Sequence, residues 1–264
     1  MAGFVGSLWL RRAALAAKMR AMAQLQKLPS SVPTATSGSA PPASSVRVWD
    51  LPTRAFHWLL AAAIVGSVVT AKIGGNAMIW HFRLGLLVLA LLAFRVLWGL
   101  MGGRWSRFAS FIYAPGTVLR YLRGRGRGDE HLDVGHSPLG SFSVFGLLGI
   151  LTVQVGTGLL ADDEIANVGP LNRFVSTATG LSAASWHKEA GQWIVLALVG
   201  LHVAAILFYL LVRKTNLVRP MLNGDKLLGP GTPASVDTPG TRWLAAVLAA
   251  ACVGLAVFVS RLGS

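Results

Sequence analysis

Five stretches of about twenty residues, near 55–72, 79–101, 140–161, 188–212 and 243–260, are almost free of charge, and four histidines lie within or at the edge of three of them. A run of roughly 20 apolar residues is what an α-helix needs to cross the hydrocarbon core of a bilayer. In lipid the backbone must satisfy its own polar groups, so runs of this length fold as helices. With 53% hydrophobic and only 13% charged residues, the chain is too apolar for an ordinary soluble domain. These features predict an all-α integral membrane protein: a four-helix transmembrane bundle, plus an appended fifth transmembrane helix. An imidazole inside such a helix is costly unless it has a partner, so His57, His81, His187 and His202 become the residues to explain.

Charge orients the spans. Eighteen Lys and Arg flank the first segment, the loop between segments two and three, and the connection from four to five, whereas Lys72, Arg173 and Arg261 are assigned to the other side. The positive-inside rule then places the N-terminus in the cytoplasm and the C-terminus outside. The net charge of +14 is mostly this topology signal, with some attraction to anionic lipid head groups, and calls for no nucleic acid.

Topology gives each histidine a depth. His57 enters from the inner side, His81 and His187 stand at the outer ends of their helices, and His202 follows His187 by fifteen residues, about 22 Å further in on a straight helix. Fifteen residues at roughly 100° each leave an offset of about 60°, so His187 and His202 share a face. The depths pair His81 with His187 in the outer leaflet and His57 with His202 in the inner one. Two facing imidazole pairs are the axial ligands of two haem irons. A zinc site would need its ligands within one small sphere, which two leaflets cannot provide. The single cysteine, Cys252, and the lack of a C-x-x-C-H motif exclude covalent attachment, so haem here is held non-covalently. His57 is three residues from Arg54 and His202 eleven from Arg213, so the inner pair matches less well in depth than the outer.

Other residues take supporting roles. Arg54, Arg83 and Lys188 lie near the histidines and are candidates to pair with haem propionates. Arg95 either faces the bundle or reaches the inner surface. Gly85 and Gly191, each four residues after a histidine, are expected to admit a flat ring. Trp49, Trp58, Trp80, Trp98, Trp105 and Trp186 read as an aromatic belt. Gln154, Thr152 and Thr157 suggest hydrogen bonds between helices, and segment three is a candidate for a quinone pocket. His131 and His136 read as ordinary residues of the long 102–139 loop, whose Arg-Gly run 123–128 reads as a solvated stretch. Residues 1–45 form a basic, partly disordered tail: 1–28 fits a helix lying on the membrane surface, and 29–45 is rich in Pro, Ser and Ala. The apolar 4–10 precedes Arg11 and Arg12 rather than following them, which argues against a secretory signal peptide. Asp50 followed by Pro52 marks the start of the first helix. Residues 46–226 make the membrane domain, 227–241 a Gly/Pro-rich linker, and 242–264 the last helix.

Several runs resemble the bacterial cytochrome b561 family, which includes the membrane cytochrome b subunits of nickel-iron hydrogenases. They are Val48-Trp49-Asp50-Leu51-Pro52-Thr53-Arg54 with Phe56-His57-Trp58, then Trp80-His81 with Gly85, Arg95-Val96-Leu97-Trp98-Gly99, Gly135-His136-Ser137-Pro138-Leu139-Gly140, Trp186-His187, Leu201-His202 and Asn216 to Met221. The resemblance covers about 46–226. It implies a four-helix bundle with two b-type haems held by histidines on helices one, two and four, and carries over to the same four residues that depth selects. One departure is the spacing from His187 to His202, a residue longer than the resemblance implies.

The expected function is electron transfer across the membrane by a di-haem b-type cytochrome in a bacterial inner membrane. The resemblance implies quinone as one redox partner and a periplasmic c-type cytochrome or oxidoreductase complex as the other. A homo-oligomer is compatible with this reading. Two alternatives are a self-contained quinol oxidase acting on oxygen or superoxide, and a haem-free membrane anchor or transporter subunit.

Overall fold

The computed structural model describes residues 44–125 and 131–263. Residues 1–43 of the tail read at 1–45, and 126–128 of the Arg-Gly run, lie outside the described residues. Five helices among those described are long and apolar enough to span a membrane. They are α1 (Leu51–Ile73), α2 (Met78–Met101), α4 (Pro138–Leu160), the rod made of α5 (Thr177–Trp186), a π-helical turn (His187–Gly191) and α6 (Gln192–Leu211), and α8 (Pro239–Arg261). Shorter helices α3 (Pro115–Leu122) and α7 (Val218–Asn223) lie in the loops.

The starts follow local chemistry. Asp50, Ser137 and Thr238 cap α1, α4 and α8, each accepting a backbone N–H with its side chain, and each helix has proline in its first turn. The fourth rod begins at Thr177, capped by Ser176, well before the apolar run that hydropathy marks at 188. The ten residues Thr177–Trp186, ahead of that apolar run, are therefore helix.

Helix α1 packs along α2, α4 along the fourth rod, and α2 meets α4 to join the pairs. Helix α8 lies along α2, burying Ala245, Cys252 and Ala256 against Phe56, Ala90, Leu91 and Phe94. A second cluster of Ala63, Val88, Leu92, Leu151 and Val195 fills the middle. Large apolar side chains such as Val65, Ile73, Leu201, Phe208, Val247 and Phe258 are exposed. In lipid this outward surface needs no burial, and close packing with hydrogen bonds holds the helices together.

One end of the bundle is tightly knotted. Strand β1 (Ser44–Arg47) pairs antiparallel with β2 (Asp225–Leu228), Val46 facing Lys226. Ser44 and Ser45, read as the end of the tail, belong to this pairing. Val48 and Trp49 donate their N–H groups to the Gly224 carbonyl. Arg47 bridges Asp225 at 2.6 Å and Asp237 at 2.9 Å, and Asp237 also takes Arg242 at 2.8 Å. Buried Asp50 accepts from Thr53 N, Trp98 Nε1, Gly103 N and, at 2.6 Å, the Ser106 hydroxyl. The Gly/Pro-rich 227–241 stretch is anchored too: Ser235 N donates to Arg47 O, and Trp105 donates to Ser235 Oγ and Pro233 O. Among the described residues, this basic end brings Arg47 and Arg54 together with the loop after α2 and the connection after the fourth rod. At the far end Arg173 donates to Leu262 O, so the last helix ends beside the loop between α4 and α5.

The knot also revises the aromatic belt. Trp49, Trp98 and Trp105 are buried within it, while Trp58, Trp80 and Trp186 are the exposed ones.

Candidate functional site

The four histidines form two facing pairs. His81 and His187 stand with ring centres 5.9 Å apart towards the far end, and His57 and His202 stand 6.4 Å apart towards the basic end. Two metal–nitrogen bonds of about 2 Å, plus about 1 Å from each ring nitrogen to its ring centre, require a separation of roughly 6 Å. Both pairs meet that requirement. Among the described residues there is no cluster of three or more His, Cys, Asp or Glu able to hold a metal ion.

In the outer pair the Nδ1 atoms are engaged, His81 with Ser67 O at 2.9 Å and His187 with Gln154 O at 2.8 Å. With Nδ1–H donating to a carbonyl, each ring is fixed as the tautomer whose Nε2 is free to bind metal. Gln154 holds His187 a second time, its side-chain Nε2 donating to His187 O at 2.8 Å. That carbonyl lies in the π-helical turn, where the wider winding loosens the usual i→i+4 ladder. The turn absorbs one residue and accounts for the long spacing. Counting fourteen effective residues instead of fifteen moves the offset between His187 and His202 from about 60° to about 40°.

The pair opens on a cavity of about 540 Å³, lined by apolar side chains together with Ser67, Gly85, Gln154, Lys188 and Asp163. That volume lies within the roughly 300–1,000 Å³ of cofactor pockets. A Cβ on Gly85 would meet nothing within 4 Å, so this glycine faces the open space. Gly191 serves differently from the ring-admitting role expected of it. A Cβ there would stand 2.0 Å from Gln154 Oε1, so only glycine lets Gln154 lie against the turn. Gly158 likewise admits the His187 ring, with a Cβ falling 2.9 Å from Cε1. Gly191→Ala is expected to break the Gln154 clamp and weaken metal holding at this pair about 10- to 100-fold, the usual effect of losing an outer-shell partner. Cofactor retention during dilution of the purified protein checks it.

The inner pair meets although its depths looked unequal. His57 lies six residues into α1 and His202 nine before the end of α6, about 9 and 14 Å along their axes. The longer inner reach of the fourth rod takes up the difference. His57 Nδ1 is buried without a partner among the described residues.

The charged candidates separate. Half-buried Arg54 donates to Leu222 O and keeps its Nε buried without a partner. Lys188 lines the outer cavity 3.9 Å from Asp163 Oδ2. The Asn167 side chain and the backbone N–H groups of residues 165–167 hold the Asp163 carboxyl well below the usual range. Arg83 is exposed over the Trp80 ring at 4.9 Å and does not line the cavity.

Sequence reasoning underrated two residues. Arg95 is 3% exposed, its guanidinium 4.6 Å from the Phe108 ring centre and its Nη1 without a partner. His136, read as an ordinary loop residue, is packed between Trp49 at 4.7 Å and Phe111 at 4.6 Å. Desolvation first, then the charges of Arg95 and Lys226 and the nearby inner histidines, push it down to about 3, so it is neutral. Its place in the Gly-His-Ser-Pro run beside the buried start of α4 was the available signal.

Fold and site together define a multi-pass helical membrane protein with two facing histidine pairs between its helices. Residues 48–224 match the family model described as prokaryotic cytochrome b561, and the chain belongs to that family. Its relatives include the probable Ni/Fe-hydrogenase 1 B-type cytochrome subunit of Escherichia coli K12, 23% identical over 213 residues, covering 67% of this chain and 88% of that protein. A probable Ni/Fe-hydrogenase B-type cytochrome subunit of Bradyrhizobium diazoefficiens is 21% identical over 215 residues, covering 69% and 86%. No solved structure matches the chain. Family membership makes this a membrane-embedded b-type cytochrome, whose cofactor is haem b and whose work is electron transfer.

Proposed function

We propose that the chain holds two haem b groups, one between His81 and His187 and one between His57 and His202, and conducts electrons between quinone in the membrane and a periplasmic redox protein. The supporting observation is the pairing itself: two imidazole pairs at metal-bridging separation, towards opposite ends of one bundle. When bound, haem supplies the one-electron couple, and the protein supplies position, charge and exclusion of water. His187 and His202 stand on one rod, so a single rigid element sets the spacing of the two sites. Ser67 and Gln154 hold the outer rings with Nε2 turned inward. Arg54, at the basic end, and Lys188, at the cavity mouth, are placed to pair with propionates, whereas Arg83 on Trp80 is not.

The positive-inside rule makes the basic end cytoplasmic in a bacterial inner membrane, and the loop between α4 and α5 periplasmic. The names of the relatives, which are hydrogenase cytochrome subunits, support an oxidoreductase complex or c-type cytochrome as the periplasmic partner. Two histidines per iron leave no open position, which disfavours a quinol oxidase acting on oxygen. A pyridine haemochrome assay on the purified chain is expected to give two haem b per chain. One haem per chain would sink the two-site reading, and none would favour an anchor or transporter. Oxygen consumption with quinol alone would favour the oxidase.

A further inference from the structure

Arg95 follows His81 by fourteen residues on α2, which returns it to within about 40° of the same face and carries it about 21 Å towards the basic end. Helix α2 thus turns a histidine to the outer site and an arginine to the depth of the inner one. The guanidinium is almost wholly buried, and its Nη1 has no hydrogen-bond partner among the described residues. Asp50 is the nearby acid, but its oxygens already accept from Thr53, Trp98, Gly103 and Ser106. A buried cation lacking a hydrogen-bonded anion is strongly unfavourable, so the fold leaves a place for one.

The surroundings say where. Phe108 covers one side of Arg95 and touches Phe111 at 5.9 Å, Phe111 touches His136, and His136 touches Trp49. This aromatic wall carries two buried polar atoms without partners, Arg95 Nη1 and His136 Nδ1. His136 lies within electrostatic reach of Arg95, His57 and His202. Tyr113 fixes the His136 backbone by donating to its carbonyl at 2.6 Å. An imidazole within reach of the inner histidines, with a buried cation beside it, is suited to a carboxylate carried by whatever those histidines hold.

We propose that Arg95 and His136 form the carboxylate-binding cradle of the inner site, taking a propionate of the haem gripped by His57 and His202. This rests on the two-haem reading above. In the full-length holoprotein, Arg95→Gln is expected to lower the midpoint potential of the inner haem, because a nearby cation favours the ferrous state. The same change weakens retention of that haem about 10- to 100-fold, as expected for losing a hydrogen bond to a charged group. The outer haem keeps its potential, Arg95→Lys recovers part of the shift, and His136→Leu gives a smaller shift in the same haem. Loading the wild-type chain with iron protoporphyrin dimethyl ester, which lacks the carboxylates, is expected to weaken the inner site by a similar factor, with no further loss in Arg95→Gln. If Arg95→Gln does not accumulate, Arg95→Lys and the ester decide. The proposal is overturned if the inner haem keeps its potential and retention in Arg95→Gln, if both haems shift equally, or if the ester binds the inner site as tightly as haem does. Fewer than two haems in the wild type would instead overturn the reading it rests on.

Discussion

Replacing His202 with alanine is expected to leave one haem per chain, the one between His81 and His187, and to cut electron transfer across the bilayer by more than about 100-fold. The magnitude follows from the role: outer-shell partners alone cost about 10- to 100-fold in metal affinity, and a ligand costs more. The ring of His202 faces His57 at 6.4 Å and no other described histidine, so the loss should stay at the inner site. His81→Ala is the mirror case and should spare the inner haem. Haemochrome content and low-temperature difference spectra measure both. Added imidazole should partly restore the His202→Gly protein, which separates a lost ligand from a lost fold. If His202→Ala removed only the outer haem, the pairing by depth would be wrong.

Asp50→Ala is expected to be the most damaging change away from the histidines. The carboxylate caps α1 and also accepts from the indole of Trp98, the amide of Gly103 and the hydroxyl of Ser106. Alanine strands these donors in a buried site, at about 1–3 kcal/mol for each one left unsatisfied, so a total loss above about 3 kcal/mol is expected. At roughly 2–4 °C per kcal/mol for a chain of this size, the melting temperature of the detergent-solubilised protein should fall by about 10 °C. Asp50→Asn, which keeps one acceptor oxygen, should lose less. An unchanged melting curve would show that the knot contributes little.

The spans were legible because lipid rewards one property, sustained apolarity, and writes it locally. The pairing of histidines was legible because depth follows from topology and angle from helical repeat. The π-helical turn was not: the sequence shows only a spacing one residue too long, and the reason sits on another helix, in Gln154 and in the contact it makes with Gly191. The knot was hidden for a similar reason. Val48 to Arg54, Arg95 to Gly99, Gly135 to Gly140 and Asn216 to Met221 read as separate runs, and nothing local says that most of them meet at one end. Three tryptophans assigned to the membrane surface are buried there because their indole or peptide groups serve partners far along the chain. Residues such as Arg95 looked ambiguous because an arginine at that depth can reach water or stay inside, and only packing decides.

The basic-end clasp also sets an order of assembly. Arg47 is joined to Asp225 and Asp237, residues made 178 and 190 positions later. At synthesis rates of about 5–20 residues per second, Arg47 waits on the order of 10–40 s for these partners to emerge. During that interval α1 and α2 can already lie in the bilayer while the rod bearing His187 and His202 is still being made. Each histidine pair is therefore half-made until that rod emerges, and the Arg47 clasp closes only after both pairs can form.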